Sequence, residues 1–252
     1  MALLEIADLT VRFGGLVALN SVSFDVHERE LVSIIGPNGA GKTTLFNAIA
    51  GVFSPTSGAI RFMGESTRGR GPAQMSHIGV RRTFQVARPF ASMTVAENIR
   101  VSLASRRTLY SFGTLRLRAR DRQREARLEE LLDLTSLRQL ADVKAGELNV
   151  GGLRRLEIAR ALAGNPSLLL LDEPAAGIGA DGLRPLAALI RGVNERGVTV
   201  LLVEHLVGLA LSLSNRVAVL DEGRLIALGD PEAVRRDERV ISAYLGTSQA
   251  DD

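Results

Sequence analysis

Hydrophobic residues gather into short runs along this chain, and the spacing within each run sets the element it predicts. Leu31-Val32-Ser33-Ile34-Ile35, Leu168-Leu169-Leu170-Leu171 and Val198 to Val203 are nearly continuous, as expected of buried strands. Leu3 to Arg12 alternates instead. Ser23 to Val26 resembles a second strand, and Ala59 to Met63 follows the turn cluster Ser54-Pro55-Thr56-Ser57-Gly58. Arg216 to Leu220 and Arg224 to Leu228, joined by Asp221-Glu222-Gly223, predict a hairpin. Helices are expected at Leu45 to Ala50, Ala96 to Leu103, Asp121 to Leu134 and Leu153 to Ala163. Asp230-Pro231-Glu232 carries the cap-plus-proline signature of one more, expected to run towards Leu245. The polar, glycine-rich stretch from Gly64 to Ser76 reads as a surface connection. The pattern predicts an α/β chain, residues 1–85 and 166–252, with a helical segment inserted at 86–165.

Between the first buried run and the helix at Leu45 lies Gly36-Pro37-Asn38-Gly39-Ala40-Gly41-Lys42-Thr43-Thr44. Strand, glycine-rich loop and helix form the context that the P-loop pattern G-x-x-x-x-G-K-[ST] requires. The glycines let the chain turn tightly and aim successive N–H groups into one concavity. The unpaired N–H groups of the new helix add positive potential there. Lys42 then reaches the β- and γ-phosphates of a nucleoside triphosphate, and the Thr43 hydroxyl ligates Mg²⁺. Asp172-Glu173 ends the second buried run. A carboxylate at the C-terminal end of a buried strand, beside a P-loop, is where a Mg²⁺ shell needs negative charge, and Asp172 fits that place. Glu173 next to it is placed to polarise an attacking water. On its own an acidic strand end is an ordinary solvent-facing feature; the P-loop is what gives this one a role.

Composition narrows the picture. The chain has 252 residues and 46% hydrophobic content, enough for one large domain or two small lobes. No apolar run approaches the roughly 20 residues needed to cross a bilayer, and the N-terminus lacks a basic-then-apolar signal pattern. The expected chain is therefore soluble and cytoplasmic, able to dock on something in a membrane. Cysteine is absent, which excludes disulfides and thiolate metal sites, and three histidines leave little for a histidine-rich one. The net charge is +3, with arginine greatly outnumbering lysine. Arg106, Arg107, Arg116, Arg118, Arg120, Arg122 and Arg124 form a dense stretch, offset by Asp121, Glu125, Glu129 and Glu130. It reads as a solvated helical face rather than a nucleic-acid site; contact with anionic headgroups or a membrane protein is the other option.

The order of P-loop, Phe84-Gln85, Leu148-Asn149-Val150-Gly151-Gly152, Leu171-Asp172-Glu173-Pro174 and His205 resembles an ATP-binding cassette (ABC) domain. Arg12-Phe13-Gly14-Gly15-Leu16, Arg82-Thr83-Phe84-Gln85, Asp172-Glu173-Pro174-Ala175-Ala176-Gly177 and Ala243-Tyr244-Leu245-Gly246 are similar to the LivG-type ATPase subunits of branched-chain amino acid importers, from about Leu4 to Gly246. The resemblance implies a P-loop fold with an N-terminal antiparallel β-subdomain and a helical signature subdomain. It implies Phe13 stacking on adenine, Gln85 touching Mg²⁺ or water, and His205 contacting the γ-phosphate. It also implies ATP and Mg²⁺ as ligands, permease membrane subunits as partners, and a second ATPase subunit, in a homodimer or a LivF-type heterodimer. A periplasmic or lipoprotein binding protein is an indirect partner, nucleic acid is not one, and the place of work is peripheral, on the cytoplasmic face of the membrane. An ABC ATPase acting on nucleic acid or ribosomes is the alternative, although this chain has one cassette and no room for a coiled coil.

Two motifs depart from the family pattern. The signature loop is usually Leu-Ser-Gly-Gly-Gln, and here Asn149 replaces the serine and Gly152 the glutamine. Gly179 stands where the D-loop usually carries Asp or Asn. With Lys42, Glu173 and His205 retained, hydrolysis is still expected.

Overall fold

The computed structural model describes residues 2–83, 89–104 and 114–246, apart from the side chains at 114–120 and 245–246. The chain divides into two units. One comprises Met1–Arg82, Ser167–Ala175 and Asn194–Asp252; the other comprises Thr83–Pro166 and Ala176–Val193.

The first unit holds two sheets. Strands β1 (Ala2–Phe13), β2 (Leu16–His27), β4 (Ser57–Phe62) and β5 (Glu65–Ser66) pair antiparallel in the order β2-β1-β4-β5, giving the N-terminal antiparallel subdomain. Strands β3 (Leu31–Ile35), β6 (Val80–Arg82), β7 (Leu168–Asp172), β8 (Thr199–Val203), β9 (Arg216–Asp221) and β10 (Arg224–Gly229) form the second, in the order β10-β9-β3-β8-β7-β6. All its pairings are parallel except β9 with β10. Every residue of β3, β7 and β8 is buried, which is why these runs lack a polar alternate. Val32 and Ile34 join a core with Leu4, Ile6 and Leu9 of the antiparallel sheet and with Leu45, Phe46 and Ile49 of helix α1 (Lys42–Ile49). Ile35 instead joins Val217, Val219, Ala227, Val234 and Val240.

Three stretches of this unit differ from expectation. The supposed connection at 64–76 contains β5 and helix α2 (Pro72–His77), whose proline opens the helix while Gln74 Oε1 accepts the Gly71 N–H at 2.7 Å. Met75 on that helix is buried. The second strand starts at Leu16, because Leu16 to Leu19 pair across β1 from Phe13 to Val11. The expected C-terminal helix breaks into α8 (Pro231–Arg235) and α9 (Glu238–Gly246), where the Asp237 carboxylate accepts the Arg239 N–H at 2.9 Å as a fresh cap.

The second unit carries α3 (Val95–Leu103), α4 (Thr114–Leu134), α5 (Val150–Leu162) and α6 (Ala180–Glu195). Thr94 caps α3, accepting from Glu97 N, while Glu97 reaches back to Thr94 N. Leu128, Leu131 and Leu132 are buried on α4, as their spacing predicts. Among the described side chains, Arg100 pairs with Glu125 and Arg127 with Glu130, so these cations are balanced by acidic neighbours. Helix α6, absent from the sequence expectations, buries Leu186, Leu189, Ile190 and Val193 in helical spacing; Gly182, Pro185 and Gly192 interrupt the pattern that would announce it. Among the described residues, no helix is long and apolar enough to cross a membrane.

Candidate functional site

Parallel pairing brings three strand ends level. Ile34 of β3 and Asp172 of β7 both lie opposite Val203 of β8, so the segments that leave these strands emerge side by side. Those segments are the P-loop, the turn after Asp172 and the turn carrying His205.

Gly36 leaves β3 at φ 150°, and a Cβ there would sit 2.0 Å from the Leu220 carbonyl oxygen. Gly41, left-handed at φ 97°, caps α1. It lets the Ala18 carbonyl approach where a Cβ would meet it at 2.6 Å. These are backbone obstacles that no rotamer change relieves. Gly36→Ala is therefore expected to cost about 3 kcal/mol or more in urea unfolding, while Gly15→Ala, with nothing within 4 Å, stays within about 0.5 kcal/mol.

Lys42 is the first residue of α1 and is buried. Its Nζ donates to the carbonyls of Gly36 at 2.7 Å and Pro37 at 2.8 Å, curling the loop around the ammonium. Burial lowers the lysine pKa, and the negative charge of Glu173 pulls the other way. Thr43 is exposed in the first turn of α1. Asn38, Gly39, Ala40, Gly41, Lys42, Thr43 and Thr44 line one open cleft of about 510 Å³ together with Phe13, Glu173 and His205. Phe13 is half exposed on its wall and meets Phe53 edge to face, with centroids 5.4 Å apart.

Glu173 has a positive φ of 46° and donates its N–H to Val203 O at 2.9 Å. Its Oε1 lies 2.8 Å from His205 Nε2, bringing the two residues singled out for hydrolysis into contact. Asp172, by contrast buried, accepts from Arg82 at 2.7 Å, and Arg82 additionally donates to Asn47 of α1 at 2.6 Å and lies over the Phe46 ring. Gln85 lies outside the described residues.

Sequence reading overlooked three neighbours. Arg82 ends β6 and holds the Asp172 carboxylate. Glu204 precedes His205 and is buried, accepting the Ala175 N–H at 2.8 Å. Tyr244 of α9 packs on the core under Ile35, and its hydroxyl accepts the Gly36 N–H; burial pushes the phenol up to about 12. Only the terminal Ala-Tyr-Leu-Gly resemblance pointed towards the tyrosine.

In the helical unit, Leu148 precedes Asn149, which is the N-cap of α5: Asn149 Oδ1 accepts the Gly152 N–H at 2.8 Å. A Cβ on Gly152 would lie 3.3 Å from that oxygen, so the glycine gives the asparagine room. With Oδ1 committed to the cap, Nδ2 is the end of the amide that can donate to a ligand. Val150 is exposed, and it lines a cleft of about 480 Å³ with Asn149, Gly151, Gly177 and Gly179.

A P-loop in a mainly parallel sheet, carboxylates at the end of β7 and a glycine-rich helix start in a separate helical unit together define a nucleotide-binding cassette. Residues 19–176 match the family described as ABC transporter, and residues 224–250 match the family described as branched-chain amino acid ATP-binding cassette transporter. The chain belongs to the ABC transporter family. It is 43% identical over 97% of its length, and 98% of the relative's, to the high-affinity branched-chain amino acid transport ATP-binding protein BraF of Pseudomonas aeruginosa. The figures for the like-named LivG protein of Salmonella typhimurium are the same. Among solved structures, an ATP-binding cassette of an ABC transporter in its ADP conformation superposes with a TM-score of 0.83 at 30% identity, covering 98% of this chain and 99% of that one.

Proposed function

We propose that this chain binds and hydrolyses ATP to energise an importer of branched-chain amino acids, acting from the cytoplasmic face of the membrane on its permease subunits. The observation that carries this reading is the convergence of Lys42, Glu173 and His205 on one cleft of the P-loop unit. The P-loop N–H groups and Lys42 hold the phosphates. Glu173 polarises the attacking water, and His205, bonded to it through Nε2, fixes its direction and reaches the γ-phosphate. Phe13 stacks on the adenine.

Thr43 and Asp172, with Gln85, are the residues that would hold Mg²⁺. Among the described residues no group of three acidic or histidine side chains could hold a metal by itself. The Thr43 hydroxyl and the Asp172 carboxylate are hard oxygen donors of the kind Mg²⁺ takes, one or two from protein and the rest from substrate phosphates and water. When bound, it neutralises charge on the β- and γ-phosphates. The working unit is a dimer with a second cassette, in which each signature loop completes the partner's P-loop site; a binding protein delivers the cargo to the permease.

Direct transport is the test. The chain is co-expressed with a permease pair and a LivF-type subunit, and vesicles are assayed for labelled leucine, isoleucine and valine. ATP-dependent uptake is expected. Uptake of urea or short amides alone overturns the substrate and leaves the ATPase reading standing.

Asn149 and Gly179 predict a weak homodimer. Restoring the pattern with Asn149→Ser and Gly179→Asp is expected to raise hydrolysis and ATP-dependent dimerisation of the isolated chain about tenfold, since one charge-assisted hydrogen bond to a phosphate is worth about 1.5–3 kcal/mol. A Cβ at Gly179 meets nothing within 4 Å, so a side chain can start there without a backbone clash. An unchanged rate, with the wild type already turning over briskly, means that this loop works with asparagine.

A further inference from the structure

We propose that Glu204 is a positioning residue for hydrolysis, one buried side chain that ties the backbone following Glu173 to the backbone carrying His205. The proposal rests on the assignment of Glu173 and His205 to ATP hydrolysis. Glu204 follows β8 and is 2% exposed. Its Oε1 accepts the Ala175 N–H at 2.8 Å, and its Oε2 accepts the His205 N–H at 3.2 Å, with Leu206 N at a longer 3.5 Å. The remaining links are already on the same face: Glu173 N–H to Val203 O at 2.9 Å and Glu173 Oε1 to His205 Nε2 at 2.8 Å. The contacts close a ring from Glu173 through Ala175, Glu204 and His205 back to Glu173.

A carboxylate is a costly way to build that ring. Burial pushes the Glu204 pKa up, its three backbone donors pull it down, and the charge of Glu173 pushes it up again. Glutamine would have the same shape without the desolvation. It offers one acceptor oxygen, however, and sets an NH₂ donor against the second N–H partner, so it cannot span both segments. Leu206, the N-cap of helix α7 (Val207–Leu213), makes no side-chain cap, so the Glu204 carboxylate stands in for one by accepting at the helix start. The carboxylate is therefore explained by the geometry it imposes rather than by stability.

The test uses the full chain labelled with ¹⁵N-histidine, in which His27, His77 and His205 are the three reporters. Glu204→Gln is expected to move the His205 ring resonances at fixed pH while those of His27 and His77 stay in place. It should also lower kcat about tenfold, with the KM for ATP within about twofold, since small misplacement of reacting groups acts on the chemical step. Glu204→Asp keeps the charge but loses the reach, and should reproduce both effects; this variant also covers a Glu204→Gln that fails to fold. Unmoved His205 resonances, a wild-type-like Glu204→Asp, or kcat and KM changing together all overturn the proposal. A wild-type chain without turnover even beside a LivF-type subunit overturns instead the ATPase reading beneath it.

Discussion

Lys42→Ala is expected to weaken ATP binding by about two to three decades, with hydrolysis falling below detection. Lys42 is the only cationic side chain between Gly36 and Thr44, and it sits buried against the carbonyls of Gly36 and Pro37. Its loss removes charge-assisted bonds to two phosphates, about 1.5–3 kcal/mol each, and each 1.4 kcal/mol is tenfold in affinity. The two carbonyls it now satisfies would then face the nucleotide and repel it. Titration of a fluorescent ATP analogue measures the effect directly, and adenosine serves as the control because it lacks phosphates. An affinity within threefold of wild type would remove the P-loop assignment.

Glu173→Gln is expected to act on a different step. The amide is isosteric and keeps the contact with His205, so ATP binding should stay within about threefold. Turnover should fall by about two to three decades, because the amide neither accepts a proton nor strongly polarises water. ATP-bound dimers should then accumulate and appear on size exclusion in the presence of ATP, where the wild type shows few. Retained turnover would move the catalytic role to another group, with His205 the next candidate because it lies 2.8 Å from Glu173 in the same cleft.

Much of this was legible before any fold was known. The P-loop could be read because a contiguous stretch with three glycines, one lysine and two threonines specifies its backbone conformation locally. The three buried strands could be read because strands covered on both faces lack a polar alternate. The hairpin at Arg216–Leu228 was visible from its turn residues. Elements whose pattern is interrupted were harder. Helix α6 contains Gly182, Pro185 and Gly192, and β6 has only three residues. Helix α2 depends on a proline and one glutamine rather than on a long apolar face.

The amino-acid order alone determined the glycine-rich loop, the acidic end of β7 and the strands and helices with an unbroken apolar pattern, because each is encoded by neighbours in the chain. Only the tertiary structure decided what those groups touch. Arg82 meets Asp172 across 90 residues of sequence, Ala175 meets Glu204 across 29, and His205 meets Glu173 across 32. A lone arginine or glutamate has no periodicity to mark it, so nothing local distinguishes these from surface charges. Their roles follow from the strand order β3-β8-β7-β6, which sets four distant strand ends next to one another. Asp172 and Glu204 are buried there, and a buried charged side chain must find a partner, because leaving it unpaired is too costly.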